Sequence, residues 1–233
     1  MKIDNFKKAM EIHGKTKGYK NKIQRTNNII RRLLKRYKRP YVSYSGGKDS
    51  TVLLHITLQA KEDIDVFHYD YGRIFIPDSF EKQVVKNMKE IGAKKVHIRS
   101  NPRDKTLEGR EYRSTFFQTV RQLSEELGWD LALVGLRAEE SLKRKRKTKN
   151  VLNTRVKPHE AYPLRDWTWK DIYAYIFENN LPIPSVYYKY GELVGFDNAR
   201  YVTYYDSEFR FLGADYIDGV LLPWFRYPKN VKR

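Results

Sequence analysis

The chain of 233 residues is 40% hydrophobic and 14% aromatic, which is enough to bury a core and excludes a disordered polymer. Lysine and arginine number 46 against 28 acidic residues, a formal charge of +18, and cysteine is absent; this excludes disulfides, thiolate metal sites and a cysteine nucleophile within these residues. No apolar run approaches the roughly 20 residues of a membrane-spanning helix, and Met1-Lys2-Ile3-Asp4 lacks the apolar stretch of a secretion signal, so a cytoplasmic protein with no membrane partner is expected.

Residues 1–40 hold fourteen Lys/Arg against two acids. Residues 1–20 are polar, with Gly14 and Gly18 expected to interrupt any helix there. Ile23, Ile29/Ile30, Leu33/Leu34 and Tyr37 then recur at helical spacing on a cationic segment that Pro40 stops. Residues 1–39 read as a basic helical arm. Tyr41-Val42-Ser43-Tyr44 reads as a strand running into Gly46-Gly47, Thr51 to Leu58 as a helix, and Asp65 to Tyr69 as a second strand. Phe80, Val84, Val85, Met88 and Ile91 trace a helical face closed by Gly92, and Lys95 to Ile98 a third strand. Tyr112, Phe116, Phe117, Val120, Leu123 and Leu127 mark another helix ended by Gly128, before the apolar strand Leu131 to Val134. This alternation implies βαβ units and an α/β fold, a mostly parallel sheet with helices on both faces.

Beyond Arg137 the rhythm changes. The basic cluster 143–149 and residues 150–160 read as loop, and Trp169, Ile172, Tyr173, Ile176 and Phe177 define a helix with Thr168 or Asp166 as its cap. Residues 40–185 are taken as one α/β domain and 186–233 as an irregular C-terminal extension packed on it. The histidines at 13, 55, 68, 97 and 159 are scattered, and those at 55, 68 and 97 read as core or edge residues rather than metal ligands.

The segment Ser45-Gly46-Gly47-Lys48-Asp49-Ser50 sits where a strand hands over to a helix. Two glycines let backbone approach an oxyanion, the first helical N–H groups lack partners, and the helix dipole favours negative charge there. Ser45 and Ser50 add hydroxyls and Lys48 a point charge. A tight turn with capping serines and no ligand is the alternative. Asp49 could orient the loop or contact a metal, and the sequence leaves both open.

The loop resembles the SGGxDS loop of the PP-loop ATP pyrophosphatase superfamily. Asp70-Tyr71-Gly72 with Phe75-Ile76-Pro77-Asp78-Ser79, Gly135-Leu136-Arg137-Ala138-Glu139-Glu140-Ser141, and Pro163-Leu164-Arg165-Asp166-Trp167-Thr168-Trp169-Lys170-Asp171-Ile172-Tyr173 resemble, in order, segments of its phosphoadenosine phosphosulfate (PAPS) reductase-like branch. The catalytic subunit of bacterial ATP sulfurylase is similar too. The resemblance implies that residues 45–50 hold nucleotide phosphates or pyrophosphate, and that Asp70 and Gly72 lie near base and ribose. By it, Arg137, assisted by Lys143 and Arg144, contacts a phosphate or sulfate, with ion pairs to Glu139 or Glu140 as the alternative for Arg137. Trp167 and Trp169 are expected to pack rather than stack on a base.

Reductases of this branch attack sulfur with a cysteine, which this sequence lacks. The expectation is therefore an ATP-dependent adenylyltransferase or ATP pyrophosphatase. In it Lys48 and Arg137 would stabilise departing pyrophosphate, with ATP or a related adenine nucleotide and Mg2+ as the ligands. A non-catalytic nucleotide-sensing or nucleic-acid-associated protein is the alternative. Residues 1–39 and 143–149 would meet nucleic acid or an acidic partner protein.

Overall fold

The computed structural model of the chain describes residues 2–71, 78–100, 109–197 and 199. Two helices come first, α1 (Ile3–Gly14) and α2 (Lys17–Arg36). Strands and helices then alternate as β1 (Pro40–Ser43), α3 (Lys48–Ala60), β2 (Asp65–Asp70), α4 (Asp78–Glu90), β3 (Lys95–Ser100), α5 (Gly109–Leu127) and β4 (Leu131–Val134). A 3-10 turn over Ala138–Glu140 leads to α6 (Leu142–Lys147), β5 (Leu152–Asn153), β6 (His159–Ala161), α7 (Trp169–Glu178) and α8 (Val186–Val194).

The sheet order is β3-β2-β1-β4-β6-β5, parallel throughout except for the antiparallel β5–β6 pair. From β1 the chain builds outward through β2 to β3, then crosses back to lay β4 on the other side of β1. The carboxyl ends of β1 and β4 therefore flank a topological switch point, where open α/β sheets leave a crevice. Alternate residues of the central strands enter two cores, as the two-residue period of a strand requires. Val42, Val66, Leu131 and Leu133 join one core. Tyr41, Phe67, Tyr69 and Ala132 join the other, beneath Phe116, Val120 and Leu123 of α5. Burial on both faces explains why these strands read as near-continuous apolar runs.

The N-terminal segment is packed on this body. Phe6 of α1 is fully buried, stacked on Phe196 at 3.7 Å between ring centroids and edge-on to Tyr173 and Phe177 of α7. The α1–α2 corner is held by charge: His13 Nε2 and Lys22 Nζ lie 2.8 and 2.7 Å from the Asp171 carboxylate. That carboxylate also accepts the Thr168 N–H at the start of α7. The Tyr19 hydroxyl donates to Glu178 at 2.5 Å.

Two expectations are corrected. Gly14 and Gly18 do not interrupt helix formation in residues 1–20: Gly14 closes α1, and Gly18 lies in the first turn of α2, whose cap Thr16 accepts the Tyr19 N–H. The glycines punctuate helix ends, where few intrahelical bonds are at stake. The stretch 143–160 is not a plain loop, because it carries α6, β5 and β6. Ser141 caps α6 by accepting the Arg144 N–H at 3.1 Å, and strands of two and three residues are too short to show a period. The helix at 169–178 begins at Thr168, which accepts the Asp171 N–H, rather than at Asp166. Gly72, residues 75–77 and the tail beyond 199 lie outside the described residues.

Phe6→Ala removes an aromatic side chain from a filled site and should cost about 3–5 kcal/mol of unfolding free energy. Urea denaturation followed by tryptophan fluorescence measures the loss. A cost below about 1 kcal/mol would mean that α1 is not part of the cooperative core.

Candidate functional site

The loop after β1 has its conformation set from three sides. The Tyr44 N–H donates to Phe67 O at 2.8 Å, extending the β1–β2 ladder by one residue. Gly46 then takes φ +80°, and a Cβ there would come within 2.6 Å of both methyl carbons of Val84 on α4. Glycine is demanded twice over, by the left-handed backbone and by the close approach. Gly47 caps α3. Ser50 Oγ donates to Gly47 O at 2.9 Å and lies 3.1 Å from Ser45 Oγ, so the two serines tie the turn internally. At the end of β4, a Cβ on Gly135 would sit 3.0 Å from backbone atoms of Asp49 and Ser50, so that strand end presses on the start of α3.

The charges are packed as tightly. Lys48 and Arg137 are each only 2% exposed. Lys48 Nζ lies 3.3 Å from Asp49 Oδ2 and 5.2 Å from the centre of the Tyr187 ring on α8. Arg137 Nε donates to Asp49 Oδ1, and its other nitrogens approach Glu139 at 3.3 Å and Glu140 at 3.7 Å. Arg144 pairs with Glu140 from the first turns of α6. Burial pushes the Lys48 ammonium below its ordinary value, with Asp49 opposing. Burial works against the Asp49 carboxylate too, but Arg137 and Lys48 outweigh it and hold the pKa below the usual range. Among the described residues, the cations Lys48, Arg137 and Arg144 and the carboxylates Asp49, Glu139 and Glu140 are joined in one cluster beside the loop.

The structure thus gathers Ser45 to Ser50 with Arg137, and reaches Arg144 through Glu140. Asp70 is buried at the carboxyl end of β2, one strand away, and Lys143 is exposed on α6. Arg137 makes the ion pairs that stood as its alternative, and one to Asp49 as well. Trp167 is buried, donating its indole N–H to Thr26 Oγ at 2.8 Å. Asp49 has both oxygens engaged by Arg137 and Lys48, and no group of three or more His, Asp or Glu converges among the described residues. The donor set does not fit an ion held by protein ligands alone.

Tyr187 escapes sequence reasoning. Its hydroxyl accepts the Lys48 N–H at 3.2 Å, one of the first helical donors of α3. It lies in a Tyr- and Pro-rich stretch with no readable period. His68 is the core residue that the sequence suggests, yet both of its ring nitrogens are committed. Nδ1 lies 2.8 Å from Tyr44 O and Nε2 2.6 Å from Glu81 of α4. Both partners accept, so the geometry calls for protons on both nitrogens. Burial disfavours the charged ring, but Glu81 and the Tyr44 carbonyl prevail and raise its pKa. The ring bridges β2, α4 and the start of the loop.

The phosphoadenosine phosphosulfate reductase domain family matches residues 39–214, three-quarters of the chain and the whole of this site. Sulfate adenylyltransferase subunit 2 of Magnetococcus marinus is 24% identical, over 74% of this chain and 71% of its own length. The protein of the same name from Mycolicibacterium vanbaalenii is 28% identical, over 69% of this chain but only 62% of its own. The chain therefore spans less than two thirds of some of these relatives. Among solved structures, FMN adenylyltransferase of Candida glabrata shares the fold, with a TM-score of 0.53 at 20% identity over 75% of this chain and 60% of that one.

Gly92 has φ +105° with open space where a Cβ would stand, whereas Gly46 adds the Val84 contact. Gly92→Ala should cost about 1–2 kcal/mol from backbone strain alone, and Gly46→Ala about 1–3 kcal/mol more from overpacking; equal urea midpoints for the two would contradict the Val84 contact. The raised pKa of His68 makes its contribution complete below the unfolded value and lost as pH rises through the folded one. The stability gap between wild type and His68→Gln should therefore narrow as pH rises above the unfolded imidazole's value near 6.5 and on through the raised folded one. Urea titrations across that range read the gap, and a widening gap would refute the cationic ring.

Proposed function

Because the chain belongs to the phosphoadenosine phosphosulfate reductase domain family, we propose that it binds ATP or a related adenine nucleotide at residues 45–50 and transfers the adenylyl group with release of pyrophosphate. The observation that carries this reading is the loop itself, a glycine-rich turn at a helix N-terminus with a buried lysine beside it. Relatives named sulfate adenylyltransferase subunit 2 and a fold neighbour named FMN adenylyltransferase support the reaction class. The 233 residues contain no cysteine, so thiol attack on a sulfonucleotide has no nucleophile within them.

In this reading an acceptor oxygen attacks the α-phosphorus, the bond to the bridging oxygen breaks, and pyrophosphate leaves with the electron pair while the acceptor loses its proton to solvent. The protein positions the chain of phosphates and neutralises charge rather than supplying a nucleophile. Backbone N–H groups at Gly47 and Lys48 and the hydroxyls of Ser45 and Ser50 would hold the β- and γ-phosphates. Lys48 would balance the charge that develops on the leaving pyrophosphate. Mg2+ would arrive with the nucleotide, its coordination drawn from phosphate oxygens and water. Asp70, buried at the end of β2, would lie near base and ribose. Arg137 acts here chiefly as a positioning residue, holding Asp49 and with it the first turn of α3. Lys143 and Arg144 remain proposed phosphate contacts at the rim.

Purified protein incubated with ATP and candidate oxyanion acceptors should release pyrophosphate, and Lys48→Ala should lower that rate by about 100-fold or more with an unchanged far-UV circular dichroism spectrum. Tight ATP binding without pyrophosphate release, under every acceptor tried, would replace this reading with a nucleotide-sensing role. No ATP binding at all would remove both.

A further inference from the structure

Two basic clusters far apart in sequence are placed side by side by the fold. Beside the edge strand β5 is a cleft of about 480 Å3, lined by the cations Arg146, Lys147, Lys149 and Arg155 and by the amides of Asn150 and Asn153. Lys147 is paired with Glu160 at 3.1 Å. Arg146, Lys149 and Arg155 are exposed and meet no carboxylate among the described residues. The Lys149 carbonyl accepts from the Arg165 guanidinium. Arg165 in turn pairs with Asp166 at 3.1 Å, and Asp166 with Arg25 of α2 at 3.4 Å. Three residues therefore link the cleft to α2.

From Arg25, the exposed residues Arg32 and Arg36 follow at seven and eleven positions, on the same helical face. The far end of α2 is fixed to the same edge of the sheet, since the Tyr37 hydroxyl lies 2.8 Å from His159 Nδ1 at the start of β6. The arginine stripe thus spans about 16 Å of α2 between these two tethers to the β5–β6 side of the sheet.

We propose that this edge of the sheet, formed by the 146–155 cleft and the Arg25–Arg32–Arg36 stripe, docks double-helical RNA through its phosphates and ribose hydroxyls. The density of cations without carboxylate partners suits a phosphodiester backbone, whose contacts position rather than read sequence. The cleft lining contains no aromatic ring, which disfavours a single strand held by base stacking. Asn153 is already engaged, its Oδ1 accepting the Arg155 N–H at 3.1 Å, but the exposed amide of Asn150 offers a donor and an acceptor together, the pair that a 2′-hydroxyl matches. The surface lies on the far side of β4 from β1 and its loop, and the proposal does not depend on the nucleotide reading.

The test uses the full chain and a fluorescein-labelled 20-base-pair RNA duplex, with anisotropy read at increasing salt. Arg146→Glu/Lys149→Glu/Arg155→Glu should weaken binding by about 30-fold or more and reduce the log–log salt slope by about two to three, at roughly 0.9 for each phosphate no longer neutralised. Arg32→Glu/Arg36→Glu should weaken it about tenfold. The charge-preserving Arg146→Lys/Lys149→Arg/Arg155→Lys should bind within about twofold of wild type, as should Lys89→Glu/Lys95→Glu near the opposite edge. Equal weakening by the reversals at the two edges would overturn the proposal, leaving only a diffuse charge effect. So would equal or tighter binding of a DNA duplex of the same sequence, or a preference for polyglutamate. ATP binding by the same variants should match wild type, so that a failure at the loop and a failure at this edge are told apart.

Discussion

The buried contact between Asp49 and Arg137 is the constraint on which the site depends. It joins the first turn of α3 to the segment leaving β4, across the switch point of the sheet. Burying either charge alone would cost several kcal/mol, so each requires the other, and the surrounding groups complete the balance. Lys48 adds a cation on one side, while Glu139, Glu140 and Arg144 extend the cluster on the other. A ligand bearing several negative charges meets cations that already face carboxylates. It must therefore compete with carboxylates for Lys48, or carry a counter-ion with it, and in either case the protein's own anions help to set the affinity.

The same loop is gripped by elements on all sides. Val84 of α4 forms a floor under Gly46, and His68 carries the grip of α4 on to the Tyr44 carbonyl through Glu81. Backbone of β4 presses at Gly135, and the Tyr187 hydroxyl of α8 occupies one of the first N–H groups of α3. These contacts prearrange the donors, which lowers the ordering needed when an anion arrives. Tyr187 is the exception, because its hydroxyl must yield if a phosphate is to use the Lys48 N–H.

The parallel sheet, its order of elements and the anion loop are legible in the sequence because each leaves a local mark. The β1 to β4 strands are short apolar runs, α4 and α5 show a helical period, and a lysine and two serines flank paired glycines at a strand end. What is not legible is long-range or too short. Two- and three-residue strands at β5 and β6 carry no period, and α6 looks like a run of surface charge until Ser141 is seen to cap it. Glycines at 14 and 18 mislead because their meaning depends on whether they fall inside a helix or at its ends. The roles of Glu140, Tyr187 and His68 come from partners 13 to 139 residues distant or from turns that sequence does not draw. Arg137 can be named from its segment, but not the carboxylates that claim it.

The packing of Phe6 against Phe196 also sets an order of events during synthesis. At about 5–20 residues per second, the first helix waits roughly 10–40 s for the ring that completes its pocket. Until then the apolar positions of α1 lack their full set of partners, which α7 supplies with Tyr173 and Phe177 before Phe196 completes it. The central strands can pair as they emerge, because β1, β2 and β3 follow one another closely. Pairing of β1, β2 and β3 therefore need not wait for α7 and Phe196, whereas the packing of α1 must.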